Sequence, residues 1–365
     1  MKRTKGLSRF LHAATACCSL VFSTSAHADP DEIYGDDFEG FDPPPCDMAI
    51  PTQPGDLKDY AKAMDLCSVY APGAQTSGVV SAVLSRVDGT GSPAASSYAV
   101  RPRFGTGTLP TFGDSTVVLS TGAAAGQGDT APSFVAFEPG FNHAISSALP
   151  GDWLAANGNA IPRPPNCPAV PVNLAHDPVM LTLNVRVPGN AHSFSVDVNY
   201  FGADFPEWVC SPLNDVFVAL LDSTYAGSPA NPADRNLAAS TEPGSGGLPL
   251  GAYLAYANSG LFRQCINGNM GCESGGVAAQ INTCTSTAGL VSTGMDIAHP
   301  GACDSNSLAG GGTDWLVIRG NVVPGETITL RFGLWDSGDG FSDSLVLLDH
   351  FRWSPLTVSP GMRLP

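Results

Sequence analysis

The segment Gly311–Trp353 reads GGTDWLVIRGNVVPGETITLRFGLWDSGDGFSDSLVLLDHFRW, and its grammar decides the fold. Within Thr327–Leu334 the apolar residues Ile328, Leu330, Phe332 and Leu334 alternate with Thr327, Thr329 and Arg331. A period of two is the mark of a strand buried on one face. Pro324-Gly325 supplies a turn before it, and Asp336–Asp343 forms a polar, glycine-bearing loop after it. Beyond that loop, Ser344–Phe351 is almost continuously apolar, which predicts a strand covered on both faces. One late hairpin is the expected arrangement.

Working outward, short apolar runs alternate with Gly/Pro/Ser/Asn/Asp clusters along most of the chain. Strands are expected at Gly78–Val87, Thr116–Leu119, Val179–Val187, Ser193–Tyr200, Asp215–Leu221 and Trp315–Ile318, besides the two above. Helix signals are few. Asp56–Leu66 is the best candidate, started by Pro54-Gly55, with Leu57, Tyr60, Met64 and Leu66 roughly on one side. With 41 Gly, 31 Pro and 14% charged residues, the chain reads as all-β. The expected architecture is a jelly-roll-like β-sandwich with long irregular loops and one short N-terminal helix. No internal repeat stands out.

The N-terminus reads as an export signal. Lys2, Arg3, Lys5 and Arg9 precede an apolar run around 13–22 and the small-x-small site Ala26-His27-Ala28, with cleavage expected before Asp29. The run is too short to span a bilayer. The rival, lipid modification at Cys17, would leave Ser19–Ala28 as an odd mature start. The expected organisation is a signal at 1–28, an acidic Pro-rich linker at 29–45 and a helical, disulfide-bonded lead-in at 46–77. A single sandwich domain at 78–357 and a tail at 358–365 follow.

Losing residues 1–28 removes four positive charges and no negative one, taking the formal charge from −16 to −20. Such an acidic surface argues against nucleic acid as a partner. Eight cysteines stay after cleavage: Cys46, Cys67, Cys167, Cys210, Cys265, Cys272, Cys284 and Cys303. An even count in an exported chain reads as disulfides, and no CxxC spacing or Cys/His cluster favours a metal. Eight cysteines allow on the order of a hundred pairings. Short loops favour Cys46–Cys67, Cys265–Cys272 and Cys284–Cys303, leaving Cys167–Cys210.

Several phrases then occur in order. They are Val118-Leu119-Ser120-Thr121-Gly122, Asp152–Gly158, SFSVDVNYFGADFPEWVCSPLNDVFVALLDS at Ser193–Ser223, and the closing PGETITLRFGLWD and DSLVLLDHF. Together, over about Gly78–Trp353, they resemble the choice-of-anchor L domain family, in a cysteine-rich, myxobacterial-like form carrying PEWVC, QCINGNMGC and GGGT. The resemblance implies an exported or surface-displayed, β-rich domain with no general enzymatic activity. The sequence departs from the family twice. Ser354–Pro365 carries no anchoring device, and the acid pair before the aromatic-Pro-Glu phrase is here Ala203-Asp204.

Four constellations bear on function. Calcium takes several oxygen ligands, and Asp336, Asp339 and Asp343 could supply them from one loop; the bland alternative is a hydrated turn. The loop is no EF-hand, since the register is wrong. Second, Asp204, Glu207, Trp208, Asn214 and Asp215 form a candidate ligand site, or else a structural corner made by side-chain to backbone bonds. Third, of Trp153, Trp208, Trp315, Trp335 and Trp353, Trp208 in its Pro/Glu-flanked turn is the best candidate for a sugar platform. Fourth, the catalytic inventory is nearly empty. His143, His176, His192, His299 and His350 form no HExxH, there is no GxSxG, and Gly113-Asp114-Ser115 lacks its hydrolase context. Pairs such as Asp349-His350 would point to opposite faces of a strand.

The expectation is therefore a secreted or surface-associated, non-enzymatic β-sandwich with a binding, adhesion or envelope/matrix role. It is expected to need no cofactor beyond structural calcium. Its partner would be an extracellular glycan or envelope protein, with no transmembrane segment in the mature chain. A carbohydrate-binding module, calcium-dependent or not, is the alternative, and a secreted hydrolase the third reading.

Overall fold

The computed structural model describes residues 45–46, 49–73, 77–137, 140–273, 280–299, 303 and 307–365. The export signal and nearly all of the acidic linker lie outside the described residues. The strands are β1 (Gly78–Ser85), β2 (Tyr98–Arg101), β3 (Thr116–Ser120), β4 (Ser146–Ser147), β5 (Ala175–Arg186), β6 (Ser193–Gly202) and β7 (Val216–Asp222). Then come β8 (Asn269–Met270), β9 (Gln280–Ile281), β10 (Gly311–Gly312), β11 (Leu316–Asn321), β12 (Thr327–Ser337), β13 (Ser344–Ser354) and β14 (Gly361–Arg363). One antiparallel sheet runs β1-β5-β12-β7, with β4 added to β5. The other runs β14-β11-β6-β13-β3-β2, with β10 added to β6. The two pack together as an all-β sandwich.

Alternation along the strands builds the core between the sheets. Leu181, Leu183, Ile328, Leu330, Phe332 and Leu334 from the first sheet meet Val196, Val198, Val346, Leu348 and Phe351 from the second. The strand at 344–354 is covered on both faces, as its unbroken apolar run demands. Val346 and Leu348 enter the central core, while Leu345 and Leu347 pack outward against Phe104, Phe137, Leu290 and Met295. The first sheet is likewise covered outside: Val216, Val218 and Trp335 lie under Trp153, Ile161 and Val170. Long loops thus act as lids of apolar side chains over both outer faces.

The expected late hairpin is corrected. Strand β12 pairs with β5 and β7, whereas β11 and β13 both pair with β6 in the opposite sheet. Pro324-Gly325 and the 338–343 loop are therefore crossovers between sheets. The strand at 327–337 has strong inward alternation and takes a central place, which requires partners on both edges. Consecutive strands from β5 to β7, and again from β11 to β13, switch sheets in this jelly-roll-like manner. The tail is not wholly outside the fold either, since β14 pairs with β11.

Helix α1 is short, Lys58–Lys62, but its Tyr60 and Ala61, with Met64 beyond it, belong to the central core. Two further short helices, α2 (Gly151–Ala156) and α3 (Tyr253–Tyr256), sit in the covering loops. The disulfides are Cys46–Cys67, Cys167–Cys210, Cys265–Cys284 and Cys272–Cys303. Two expected pairs hold, and Cys265–Cys272 and Cys284–Cys303 are corrected. The segment doubles back so that Gln264 bridges Ser286, and the Cys265 N–H donates to the Ser286 carbonyl at 2.9 Å. The Asn267 side chain then accepts the Cys284 N–H at 2.7 Å, holding Cys284 beside Cys265, so proximity along the chain is the wrong guide there.

Candidate functional site: an acidic joint between the sheets

The phrases singled out in sequence meet at one end of the sandwich, where β12 leaves the first sheet and β13 enters the second. Asp215, on the residue before β7, is the hub. Its Oδ1 accepts from the Ser337 N–H (3.2 Å) and its Oδ2 from the Ser344 hydroxyl (2.6 Å). The Ser344 hydroxyl also meets the Tyr200 hydroxyl at 2.7 Å. Asp204 reaches across the turn from β6 and accepts the Asp215 N–H at 3.0 Å. The Ala203 N–H donates to the Asp343 carbonyl at 3.2 Å. From the third direction, Thr121 Oγ1 accepts the Ser344 N–H at 2.9 Å.

Gly122 completes the joint. A Cβ there would stand 2.1 Å from Asp343 Oδ2, so only glycine lets this carboxylate lie against the backbone. The Leu-Ser-Thr-Gly phrase, the Asn-Asp corner and the Asp-Ser start of β13 are thus three parts of one structure.

Asp204, Asp215, Asp336 and Asp343 are all at most 1% exposed. A polar loop of solvated acids does not describe them, and the hydrated-turn alternative is corrected for Asp336 and Asp343. Only Asp339 fits it: half-buried, it accepts the Phe341 N–H at 3.2 Å. Burial pushes the Asp215 carboxyl up to about 8, against the lowering effect of the Ser344, Asp336 and Ser337 hydrogen bonds. Asp336 is held well above the usual range by burial and then by the charges of Asp215 and Asp343.

Around this floor lies a more open rim. The Asp177 carboxylate accepts the backbone N–H groups of His143 (2.9 Å) and Ile145 (3.1 Å). His143 Nε2 lies 2.9 Å from the Gly122 carbonyl, and its ring meets Phe141 edge-on at 4.7 Å. Phe341 is 51% exposed, and a Cβ on Gly140 would touch it, so the two loops adjoin.

Asn214 is a structural corner, its side-chain amide donating to the Asp215 carbonyl at 2.9 Å. Glu207 is buried, with His299 Nε2 3.8 Å away. Trp208 is half-buried in the 203–212 turn rather than exposed, and its backbone N–H donates to the Asp204 carbonyl. Trp153 and Trp335 are core, packed edge-to-face at 5.7 Å.

Sequence reading missed a second cluster. Its register shift between Asp349 and Arg352 gives His350 a φ of 48°, and this bulge breaks the strict alternation assumed for Asp349-His350. Both residues therefore meet one loop: Asp349 accepts the Thr111 N–H at 2.5 Å, and Phe112 stacks on His350 at 4.5 Å. Asp197 on β6 accepts from the Thr111 hydroxyl (2.8 Å) and Arg352 (2.6 Å), with His350 Nδ1 at 3.4 Å. No local signal marks a bulge in an otherwise apolar strand. The cluster fastens the 111–112 loop to the sheet.

Among the described residues, no three His, Cys, Asp or Glu side chains are arranged to hold a metal. No helix among them is long and apolar enough to cross a membrane. Compared with known proteins, the chain matches no family model, no curated protein and no solved structure.

Proposed function

We propose that this is a secreted or surface-associated, non-enzymatic β-sandwich with a binding, adhesion or structural role in the envelope or matrix, consistent with the resemblance to choice-of-anchor L domains. The observation that carries the reading is the joint itself. Several of its recognisable acids and hydroxyls lie buried and hydrogen-bonded between two sheets, a setting that favours architecture over turnover. Four disulfides support an oxidising compartment, and the basic start followed by an apolar run supports export. A saturable hydrolytic activity in the purified mature protein, lost on changing one of the five histidines, would overturn the non-enzymatic reading.

The rim favours one specific version, a carbohydrate-binding module. Phe341 and Phe141 are exposed at 51% and 36%, beside Asn142, His143 and Asp339. Aromatic faces next to hydrogen-bonding groups suit sugar rings. A glycan array, run with and without Ca²⁺, is expected to show binding that Phe341→Ala weakens at least tenfold. An array blank in both conditions would remove this version and leave a protein partner to be sought.

A further inference from the structure

Among the buried acids of the joint, Asp336 stands apart. It is fully buried, and no backbone N–H or basic side chain answers either of its carboxylate oxygens. It lies within hydrogen-bonding reach of Asp215, and the charges that act on it most are themselves acidic: Asp215, Asp343 and Asp177. The Thr121 hydroxyl also bears on Asp336 and lowers its carboxyl, while accepting the Ser344 N–H at 2.9 Å, but burial and the neighbouring acids outweigh it. A buried carboxylate so placed needs either a proton or a cation to be stable.

We propose that Asp215 and Asp336 are the floor of a seat for a divalent cation of the calcium class. Asp343 contributes a third negative charge, and hydroxyl, carbonyl and water oxygens complete the shell. Hard oxygen donors drawn from carboxylates and neutral groups are what calcium takes. The seat joins β7, β12 and β13, so an ion there would tie the two sheets at the end that carries the rim. It differs from the loop site read in sequence by replacing Asp339 with Asp215. The inference does not depend on the glycan reading, because the seat serves a purely structural sandwich equally well.

The test uses the oxidised mature chain at pH 8, melted with CaCl₂ and with a chelator. An ion binding only the folded state raises the midpoint by mass action, here on the order of 5 °C at a hundredfold excess over the dissociation constant. The rise should be saturable, vanish in Asp336→Asn and survive in Asp339→Asn. No rise in the wild type, or one unchanged in Asp336→Asn, would overturn the proposal. Should Asp336→Asn fail to fold, terbium serves as the probe on the wild type. Tyr200, whose hydroxyl meets Ser344 at 2.7 Å, adjoins the seat and should sensitise terbium emission that Ca²⁺ then quenches by competition, and absence of that emission would equally overturn it.

Discussion

Gly122 shows how much can rest on one missing side chain. The Asp343 carboxylate occupies the space a Cβ would need, so Gly122→Ala must displace a buried acid or bend β3. Overpacking of this kind costs about 1–3 kcal/mol, measurable by urea unfolding. The same change made in Asp343→Ser should cost less, since the two sites share one space; equal costs in both backgrounds would show that the contact is not the cause. Asp215 gives the pH dependence. Its folded pKa, about 8, stands above the unfolded carboxylate value of roughly 4. The protonated form is therefore favoured by folding. Its contribution is complete below the unfolded value and is lost as pH rises through the folded one. In chelator, the melting midpoint should fall between pH 4 and 8, and Asp336→Asn should flatten that slope by removing a second carboxyl that burial holds well above its usual range. A midpoint that rises over this range would contradict the assignment.

At the scale of elements, period and composition carried most of the information. The alternation in 327–334 and the unbroken run in 344–351 reflect one exposed and two covered faces respectively, and the eight strands expected from sequence all form. What periodicity cannot encode is which sheet a strand joins, because inward-facing residues look alike from either side of a sandwich. Hence β12 and β13 read as a hairpin, yet they face each other across the core. The two-sided covering of β13 has a direct consequence. Leu347→Ala and Leu348→Ala should each cost about 2–5 kcal/mol, although they point to opposite faces, whereas Thr327→Ala, on an exposed residue, should stay within about 0.5 kcal/mol. A near-neutral Leu347→Ala would mean that the outer lid of Phe104, Phe137 and Met295 is not packed as described.

At the scale of the molecule, lids and staples make up for what short strands and long loops lack. Cys167–Cys210 ties the lid over the first sheet to the turn beside the acidic joint, closing a sequence separation of 43 residues. In the chain-entropy account a loop of that size is worth about 4 kcal/mol. The Cys167→Ala, Cys210→Ala double variant should lose much of that and shed protection first in 149–172. The site was legible in its parts. Asp204, Asp215, Asp336 and Asp343 were all singled out by residue type, but as two sites, since only the crossover between sheets brings residues 121, 204, 215 and 336–344 together. The bulge cluster at Asp349-His350 was illegible because its alternation breaks without a sequence mark.

An exported, disulfide-stapled sandwich is the claim on which the rest depends. A non-reducing peptide map of the protein recovered from the extracellular or cell-surface fraction tests it most directly. The predicted result is an N-terminus at Asp29, no free thiol, and the pairs Cys46–Cys67, Cys167–Cys210, Cys265–Cys284 and Cys272–Cys303. Free thiols in a protein retained inside the cell, or Cys265 joined to Cys272, would contradict it.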